Sequence, residues 1–439
     1  MKKKAFFISF VSLFLGLNLT TKAQESPIQV ITNKEAINLA DSAKMYKTLL
    51  QNTPIEPEFM YEPHFAIVGF NNKFYFSTGA RLRFTACFDW GNPVDNPTEM
   101  GVDKIEKADE GNESRFQMSA GSSQIYFNII GFPNTQNQVG LFVSLSLDAN
   151  GNNSYHLKAG QVYMRYRNIQ CGYATSLYND RAAHTYSINN SRPCASGAHN
   201  SVQINYQRAF TKHLSFGVGL EIPNVSYTQY LPLEILEEDK KVNSYQKIPD
   251  VPLYLNYTFK GNDHIRLSAV LRNITYHNYI TMKTQHALGW GLKLTGSYTA
   301  GPFDLYATVQ GGRAIANYIA GNYNKSLDLV PCKDYYSYGE LSATHSLGYI
   351  AGIQYNFSPK VFASGIFSML HNFIPRYQAA KNSSFEDQQK RALTVNANVV
   401  WRISDLFSAG VEYVFAQKIN ENNYSLSNNR VFGMFMMNF

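Results

Sequence analysis

The last stretch of the chain, NNRVFGMFMMNF at 428–439, decides how the rest of the sequence is interpreted. Counting back from Phe439 in steps of two gives an apolar series, Met437, Phe435, Gly433 and Val431. Because successive side chains of a strand point to opposite faces, this alternation predicts a β-strand with one apolar face. Such a strand at the end of a chain is typical of a closed β-barrel, in which the last strand pairs with the first.

Residues 1–23 have the pattern of a cleaved secretory signal. Three lysines, Lys2 to Lys4, precede an apolar run at 5–19, and Thr21-Lys22-Ala23 has the small-x-small form of a cleavage site. The apolar run is shorter than the roughly 20 residues that a spanning helix needs, so a retained anchor is the less favoured alternative. Without these residues, which contain four lysines and no acid, the net charge falls from +7 to +3.

We expect residues 24–72 to form a periplasmic extension before the barrel of 73–439. Thr32 and Glu35 fit a capping box, and apolar residues then recur at helical spacing, at Ala36, Leu39, Ala43, Tyr46 and Leu50. This pattern predicts a short amphipathic helix, which either forms a coiled coil within an oligomer or packs against the base of the barrel. Residues 64–72 are expected to be extended without spanning the membrane.

From Lys73 onward the hydrophobic period is two. The strands of a soluble β-sandwich would also alternate apolar and polar residues. Here, however, short connections between strands alternate with long polar ones, as in an outer-membrane barrel. We predict strands at 73–89, 114–131, 138–149, 153–167, 168–178, 199–210, 212–226, 249–260, 262–277, 284–299, 302–318, 341–357, 359–375, 389–403, 404–418 and 428–439. The predicted fold class is all-β, a transmembrane antiparallel β-barrel of about sixteen strands with a short N-terminal periplasmic helix.

A sheet of about sixteen strands closes around an aqueous channel, so function should lie on the inward face. The basic residues predicted to line the pore are Arg81, Arg83, Arg115, Arg165, Arg167, Arg266 and Lys293, with Lys158 and Arg272 also inward. Inward acids are fewer: Asp89, Asp148, Glu221, Asp304 and Glu412. The guanidinium groups could attract small anions, or they could pair with the acids and brace the wall. The sequence leaves both interpretations open.

Three stretches, FYFSTGARLRFTACFDWG at 74–91, SRFQMSAGS at 114–122 and HLKAGQVYMRYRNIQCGYATSLYND at 156–180, resemble the opening strands of DcaP-like outer-membrane porins. The resemblance implies a homotrimer of sixteen-stranded barrels that passes small hydrophilic, often anionic solutes. It also implies a longer N-terminal extension than this chain has. The inward basic residues carried by these stretches are Arg81, Arg83, Arg115 and Arg165.

The segment 179–198 follows the strand after which porins often place a loop inside the barrel. It is therefore the candidate constriction loop, with Arg181, His184 and Arg192 as its candidate functional residues. A terminal Phe439 also resembles the residue that the barrel-assembly machinery reads in such chains. Cys194 and Cys332 fall in predicted surface loops, so they are the pair to test for a disulfide. The cysteines show no metal-ligand spacing, and we expect neither a metal nor a cofactor.

The predicted function is that of a porin in the outer membrane of a Gram-negative bacterium, in contact with its lipid. One alternative is an adhesin or ligand-binding barrel, because the predicted loops at 226–230 and 334–339 are rich in tyrosine. A barrel-embedded hydrolase is less favoured, because the candidate groups His184, His199, Ser201 and His345 form no recognisable motif. Nucleic-acid binding is not expected, since the positive charge is dispersed rather than gathered in a patch.

Overall fold

The computed structural model describes residues 29–32, 65–69, 74–132, 135–150, 154–197, 200–228, 246–261, 263–278, 281–323, 325–331, 339–375 and 388–438. The predicted signal, the predicted N-terminal helix and Phe439 lie outside these residues. Three short 3-10 helices are present in the described part, at Val102–Lys104, Ala316–Tyr318 and Ala320–Asn322. No helix of the described residues is long and apolar enough to cross a membrane.

The described strands, numbered in chain order, are β1 (Gln29–Thr32), β2 (Phe65–Gly69), β3 (Phe74–Gly91), β4 (Ser114–Ser119), β5 (Gln124–Gly131), β6 (Val139–Asn150), β7 (Ser154–Tyr166), β8 (Ile169–Thr175), β9 (Asn200–Ala209), β10 (Leu214–Glu221), β11 (Val251–Thr258), β12 (His264–Asn278), β13 (Lys283–Ala300), β14 (Phe303–Arg313), β15 (Leu329–Pro331), β16 (Leu341–Ala343), β17 (His345–Ser358), β18 (Val361–Phe373), β19 (Gln389–Arg402), β20 (Phe407–Asn420) and β21 (Ser425–Asn438). β15 and β16 form a separate two-stranded sheet.

The remaining strands from β3 to β21 form a closed barrel. Each strand pairs antiparallel with the next, β4 and β5 together occupy one position beside β3, and β21 returns to pair with β3 from Asn428↔Gly91 to Asn438↔Arg81. The barrel has sixteen strand positions. The predicted fold class is therefore confirmed. Closure gives each barrel strand a hydrogen-bonding neighbour on both sides, so that the backbone N–H and C=O groups are paired. A sheet surrounded by lipid requires this pairing.

The two faces of the wall differ as the alternation predicts. On β3, Phe84 points outward and is 47% exposed, whereas Asp89 points inward and is fully buried. The same outward apolar series continues around the barrel, for example Leu292 on β13 and Val399 on β19. An apolar outward face on every side is what a barrel embedded in lipid needs.

The connections differ at the two ends of the barrel. At what we call the short-turn end, the connections are brief, as at 167–168, 301–302 and 359–360. At the long-loop end lie the connections 92–113, 176–199, 222–250, 314–344 and 374–388, together with three short ones. β3 begins and β21 ends at the short-turn end. Because the number of strand positions is even, the first and last strands run in opposite directions and this arrangement follows.

Several predicted strands differ from the structure. The strand predicted at 212–226 ends at Glu221, and the one predicted at 341–357 is divided at Thr344, with its first part in the separate sheet of β15 and β16. Two others are broken by a left-handed residue. The strand predicted at 114–131 is interrupted at 120–123, where Ser122 has a φ of 67° and its N–H donates to the carbonyl of Leu147. The strand predicted at 302–318 ends at Arg313, because Ala314 has a φ of 54° and the chain turns into the barrel. In both places a left-handed residue breaks the extended backbone.

The short strand β2 extends the wall at the seam between the first and last barrel strands. It pairs with the first part of β3, from Phe65↔Thr78 to Gly69↔Phe74, and β1 pairs with its other edge. β21 pairs with β3 only down to Arg81. Part of the predicted N-terminal extension therefore belongs to the same sheet as the barrel, and it covers an edge of β3 that β21 does not reach.

Candidate channel constriction

The connection between β8 and β9 lies inside the barrel, as far as residue 197. Its Tyr178 hydroxyl donates to the carbonyl of Leu292 on β13 at 3.2 Å, and the backbone N–H of Ala195 donates to Ser368 Oγ on β18 at 2.9 Å. Tyr178, Ile188 and Ala195 are fully buried. We call residues 176–197 the inner loop. It includes nearly all of the segment predicted as a constriction loop.

Glu412 of β20 holds the middle of the inner loop. Its carboxylate accepts hydrogen bonds from the backbone N–H of Ile188 and from Ser187 Oγ, the latter at 2.6 Å. Asn396 and Asn398 of β19 donate to the same carboxylate at 2.7 and 3.3 Å. A carboxylate with four donors is well satisfied despite its burial. Its position fixes the distance between this part of the loop and the wall.

Basic residues of the wall hold other parts of the inner loop. Arg83 of β3 donates to the carbonyl of Ile188 and to Asn190 Oδ1. Arg266 of β12 donates to the carbonyl of Leu177 at 2.5 Å, and its guanidinium lies 3.8 Å from the ring centre of Tyr254. These two arginines, predicted to line the pore, also serve as anchors of the loop.

The start of the inner loop is held by β12 and β13. Asp180 accepts hydrogen bonds from His264 Nε2 at 2.8 Å and Thr295 Oγ1 at 2.5 Å. Burial by itself raises the pKa of this carboxyl, but the His264 hydrogen bond and the nearby Arg266 hold the pKa well below its usual range. Lys293 donates to Asn179 Oδ1 at 3.2 Å. Asp180 is therefore a charged acceptor fixed against the wall.

Two inward glycines allow the inner loop to lie close to the wall. A Cβ added at Gly410 would come within 2.9 Å of Ile188 Cδ1, and one added at Gly352 would overlap with Thr185 Oγ1. A larger residue at either position would push the loop toward the middle of the barrel. The glycines of the wall thus leave the space through which the inner loop runs.

Residues 314–323 and 325–331, after β14, also lie inside the barrel, and Arg272 of β12 holds them in place. The guanidinium pairs with Asp250 at 2.9 Å and Asp328 at 3.0 Å, and it donates to the carbonyls of Ala314 and Asn224 at 2.5 and 2.6 Å. All three charged side chains are buried. This arginine was predicted to be inward, but its role as an anchor depends on residues distant in the sequence.

A third inward segment, 92–113, is held at the barrel seam. Arg430 of β21 pairs with both carboxylate oxygens of Asp89 on β3, at 2.5 and 2.6 Å, in a geometry typical of bidentate pairs. The same guanidinium donates to the carbonyls of Val94, at 2.8 Å, and Asn96, at 2.6 Å. Sequence analysis did not select Arg430, although the alternation of 428–439 and the pairing of last strand with first place it beside Asp89.

The three inward segments share one apolar cluster that crosses the barrel. It joins wall residues such as Phe432 on β21 to Val270 on β12 through Met100, Ile188 and Ile319. β3 and β12 are the first and ninth strand positions of the barrel, so β12 lies opposite the seam. The interior is therefore narrowed by packed protein over part of its cross-section.

Below the inner loop, toward the short-turn end, lies a cavity of about 800 Å³. We call it the vestibule. Five arginines border it, Arg165, Arg181, Arg192, Arg266 and Arg402, against three aspartates, Asp180, Asp263 and Asp304. The arginines that border this cavity therefore outnumber its aspartates.

The predicted site residues occupy four kinds of position. Arg165, Arg181, His184, Arg192 and Arg266 border the vestibule. Arg81, Arg83 and Lys293 point inward and are buried. Arg115 is exposed at the long-loop end and pairs with Asp95, and Arg167 lies in a turn, where it donates to the carbonyl of Gln136 and to Asn137. Arg402 borders the vestibule and was not selected from the sequence, although the alternation along β19 places it on the inward face.

His184 lies near three cationic side chains and one carboxylate, that of Asp180. Burial, with Arg192, Lys293 and Arg181 nearby, lowers the pKa of His184 to about 3. The imidazole is therefore neutral at neutral pH and adds no positive charge to the vestibule.

The prediction that Cys194 lies in a surface loop is wrong. The thiol is buried in the inner loop, where it contacts Ser368 Oγ at 3.4 Å. Cys87, Cys171 and Cys194 are not bridged to one another, and Cys332 lies outside the described residues.

The fold is similar to that of two solved structures of known channels and porins. The outer-membrane channel DcaP of Acinetobacter baumannii is similar, with a TM-score of 0.69 and 14% identity over 85% of this chain and 100% of that chain. OmpF of Salmonella typhi, in complex with daunomycin, gives a TM-score of 0.50 and 11% identity over 84% of this chain and 99% of that chain. No family model and no curated protein matches this chain. These likenesses show the fold, so at that level the predicted resemblance to DcaP-like porins is confirmed.

Proposed function

We propose that the chain is a porin of a Gram-negative outer membrane, which allows passive diffusion of small hydrophilic solutes and favours anions. The observation that carries the proposal is the vestibule, where arginines outnumber aspartates five to three beneath a loop that narrows the barrel. A lumen of this kind concentrates anions near the narrow region and disfavours cations. The long loops then face the outside of the cell, and the short turns face the periplasm.

Several finer parts of the proposal follow from the resemblance and the sequence. The functional unit is a homotrimer, the barrel-assembly machinery recognises Phe439, and residues 1–23 are removed on export. The mature chain then begins in the periplasm, on the same side as the vestibule. A protein with this role needs no catalytic group, and we propose no enzymatic activity.

The decisive experiment is a planar-bilayer measurement in asymmetric KCl. Arg165 is the best residue to change, because it is half-buried, borders the vestibule and donates to Gln170 rather than to the inner loop. Replacing it in Arg165→Gln should move the reversal potential toward cations, and adding Arg402→Gln should move it further in the same direction. The absence of channels, or a wild-type preference for cations, would contradict the proposal.

A matched control is Arg167→Gln. It removes the same charge two residues away, but the guanidinium is held by Gln136 and Asn137 in a turn. It should leave the reversal potential close to that of the wild type. An equal shift in both variants would mean that general charge at the rim, and not the vestibule, sets the preference.

A further inference from the structure

Two buried carboxyl groups lie side by side at the long-loop end of β10 and β11. Glu221 is the last residue of β10, and Asp250 directly precedes β11. The backbone N–H of each donates to the carbonyl of the other, at 2.9 and 3.0 Å, so the two residues are cross-strand neighbours. Both are at most 1% exposed. Two carboxylates directly opposite each other in a sheet repel, and burial removes the water that would weaken the repulsion.

A single hydroxyl connects the two carboxyl groups. The Oη atom of Tyr318 lies 3.2 Å from Glu221 Oε2 and 3.0 Å from Asp250 Oδ2. A phenol hydroxyl has one hydrogen, so it donates to only one of these oxygens at a time. If both carboxyls were ionised, the other contact would bring two lone pairs together. A proton on one carboxyl removes this conflict, because that carboxyl donates to Oη while Oη donates to the other.

The charges around this hydroxyl also favour a bound proton. Arg272 pairs with Asp250 at 2.9 Å and with Asp328 at 3.0 Å, and the side chains of all three are buried. Together with Glu221, three carboxylates would face this one guanidinium. In addition, Asp250 Oδ1 is buried without a hydrogen-bond partner among the described residues. A buried charge that lacks compensation is removed by protonation more readily than it is tolerated.

We infer that Glu221 is a proton-binding site, with the proton on Oε2 and donated to Tyr318 Oη. Asp250 is the ionised partner, because its Oδ2 accepts a charge-assisted hydrogen bond from Arg272 Nε at 2.9 Å. The other oxygen of Glu221, Oε1, accepts from the backbone N–H of Leu177 at 3.2 Å. A neutral Glu221 therefore uses both of its oxygens. We call Glu221, Tyr318 and Asp250 the proton bridge.

The proton bridge joins two inward segments that are distant in the sequence. Glu221 holds the start of the inner loop through Leu177. Tyr318 belongs to residues 314–323, and its ring packs edge-on against the ring of Tyr178 in the inner loop, with 5.5 Å between the ring centres. The bridge therefore couples the position of the inner loop to that of the second segment.

Loss of the proton should loosen this coupling. As the pH rises, Glu221 would ionise beside the carboxylate of Asp250, and repulsion between the two would separate the groups that the bridge joins. The contribution of the bridge is thus present at low pH and is lost as the pH rises. Release of one proton changes the ratio of released to held loop by up to about tenfold per pH unit.

The first test detects the proton itself, so its result does not depend on the proposed function. The protein is purified in detergent, and infrared difference spectra are recorded between about pH 5 and about pH 9, a range in which buried carboxyls titrate. The wild type should lose the carbonyl stretch of a protonated carboxyl as the pH rises, and Glu221→Gln should lack that band. In Tyr318→Phe, which changes no charge, the band should shift because the proton loses its acceptor.

The second test measures the consequence for the inner loop and rests on the proposed channel function. In planar bilayers, the current fluctuations of the wild type should become more frequent from about pH 5 to about pH 9, by up to about tenfold per pH unit. Glu221→Gln, whose amide donates to Tyr318 and accepts from Leu177 without ionising, should show the same low frequency throughout. Asp148→Asn is the matched control, because it removes an inward carboxylate outside the bridge, and it should follow the wild type.

Three outcomes would overturn the inference. A band that persists in Glu221→Gln and disappears in Asp250→Asn would place the proton on the other carboxyl. A band unchanged in both Glu221→Gln and Tyr318→Phe would place the proton outside the bridge. Fluctuations that rise equally with pH in the wild type and in Glu221→Gln would show that the bridge does not hold the loop. The expected infrared bands in a protein that forms no channels would support the proton site and contradict the proposed function alone.

Discussion

The Arg430–Asp89 pair joins the last strand of the barrel to the first through two buried charges. Removing one partner leaves the other charge without compensation, which costs about 3–5 kcal/mol. Arg430→Met should therefore lower the stability of the barrel by that amount, measured as the urea midpoint of the heat-modifiable folded form. The exposed Arg115–Asp95 pair is the comparison, and Arg115→Met should cost at most about 1 kcal/mol.

The double variant Asp89→Leu/Arg430→Met separates the two contributions of this pair. Replacing both partners with apolar residues removes the orphaned charge, so most of the lost stability should return. The segment 92–113 would still lose its anchor, because Arg430 also donates to Val94 and Asn96. A double variant as unstable as Arg430→Met would mean that the loop contacts, and not the seam pair, supply the stability.

His184 should not act as a pH sensor. Because burial and neighbouring cations lower the pKa of His184 to about 3, protonation would begin only well below neutral pH, and it would add positive charge. The difference in reversal potential between wild type and His184→Gln should therefore stay constant from about pH 8 to about pH 5. A gain in anion preference over this range that occurs in the wild type and not in His184→Gln would contradict this prediction.

At the scale of elements, the inner loop depends on a small number of wall residues. Glu412→Ala removes the acceptor of four hydrogen bonds and leaves the buried N–H of Ile188 without its partner, at a cost of about 1–3 kcal/mol. The barrel ladders remain, so the variant should fold. Released from the wall, the loop should give larger current fluctuations and an altered single-channel conductance.

Asp148→Asn is the control for Glu412→Ala. Asp148 is also an inward carboxylate, but it lies on β6 beside Lys158 at 3.5 Å and does not bind the inner loop. The conductance trace of Asp148→Asn should match that of the wild type. If the current fluctuations and conductance of Glu412→Ala also matched those of the wild type, the loop would be held by its apolar contacts instead.

The strands were predictable from the sequence because alternation is a local signal. The predicted boundaries of β13 and β18 lie within two residues of those observed. The inner segments were less predictable. Residues 314–320, AIANYIA, were assigned in part to a strand because their apolar character is also that of a barrel wall. They are instead buried inside the barrel, and their position depends on Asp328 of the same connection and on Arg272, which lies 42 residues before Ala314.

The candidate site shows the same division between local and distant information. That Arg83 and Glu412 face inward follows from the period of two, and the alternation alone predicts it. That both hold Ile188 of the inner loop follows only from the closed barrel. Residues that look like free charges on a pore wall are thus partly structural, and only the folded chain distinguishes the two roles.

At the scale of the whole molecule, the edge of β3 below Arg81 is covered by β2. Proline lacks the N–H that a ladder needs, so Ile67→Pro should break the pairing of β2 with β3. The folded barrel should then unfold at a lower temperature in a heat-modifiability gel, while single-channel conductance stays unchanged. Ile67→Thr, which keeps the strand, is the control, and equal melting of both variants would show that β2 is not needed to cover the edge.

The pairing at the seam also affects the register in which β21 aligns with β3. Asn438 stands opposite Arg81 and Phe65 opposite Thr78, so only two positions of β3 separate the last strand from β2. A slide of β21 by two residues toward the short-turn end would keep every side chain on its proper face, and pattern alone would not forbid it. It would, however, bring Asn438 next to Phe65 along β3. β2 therefore limits how far β21 can slide along β3, and deleting residues 65–69 should permit misaligned barrels.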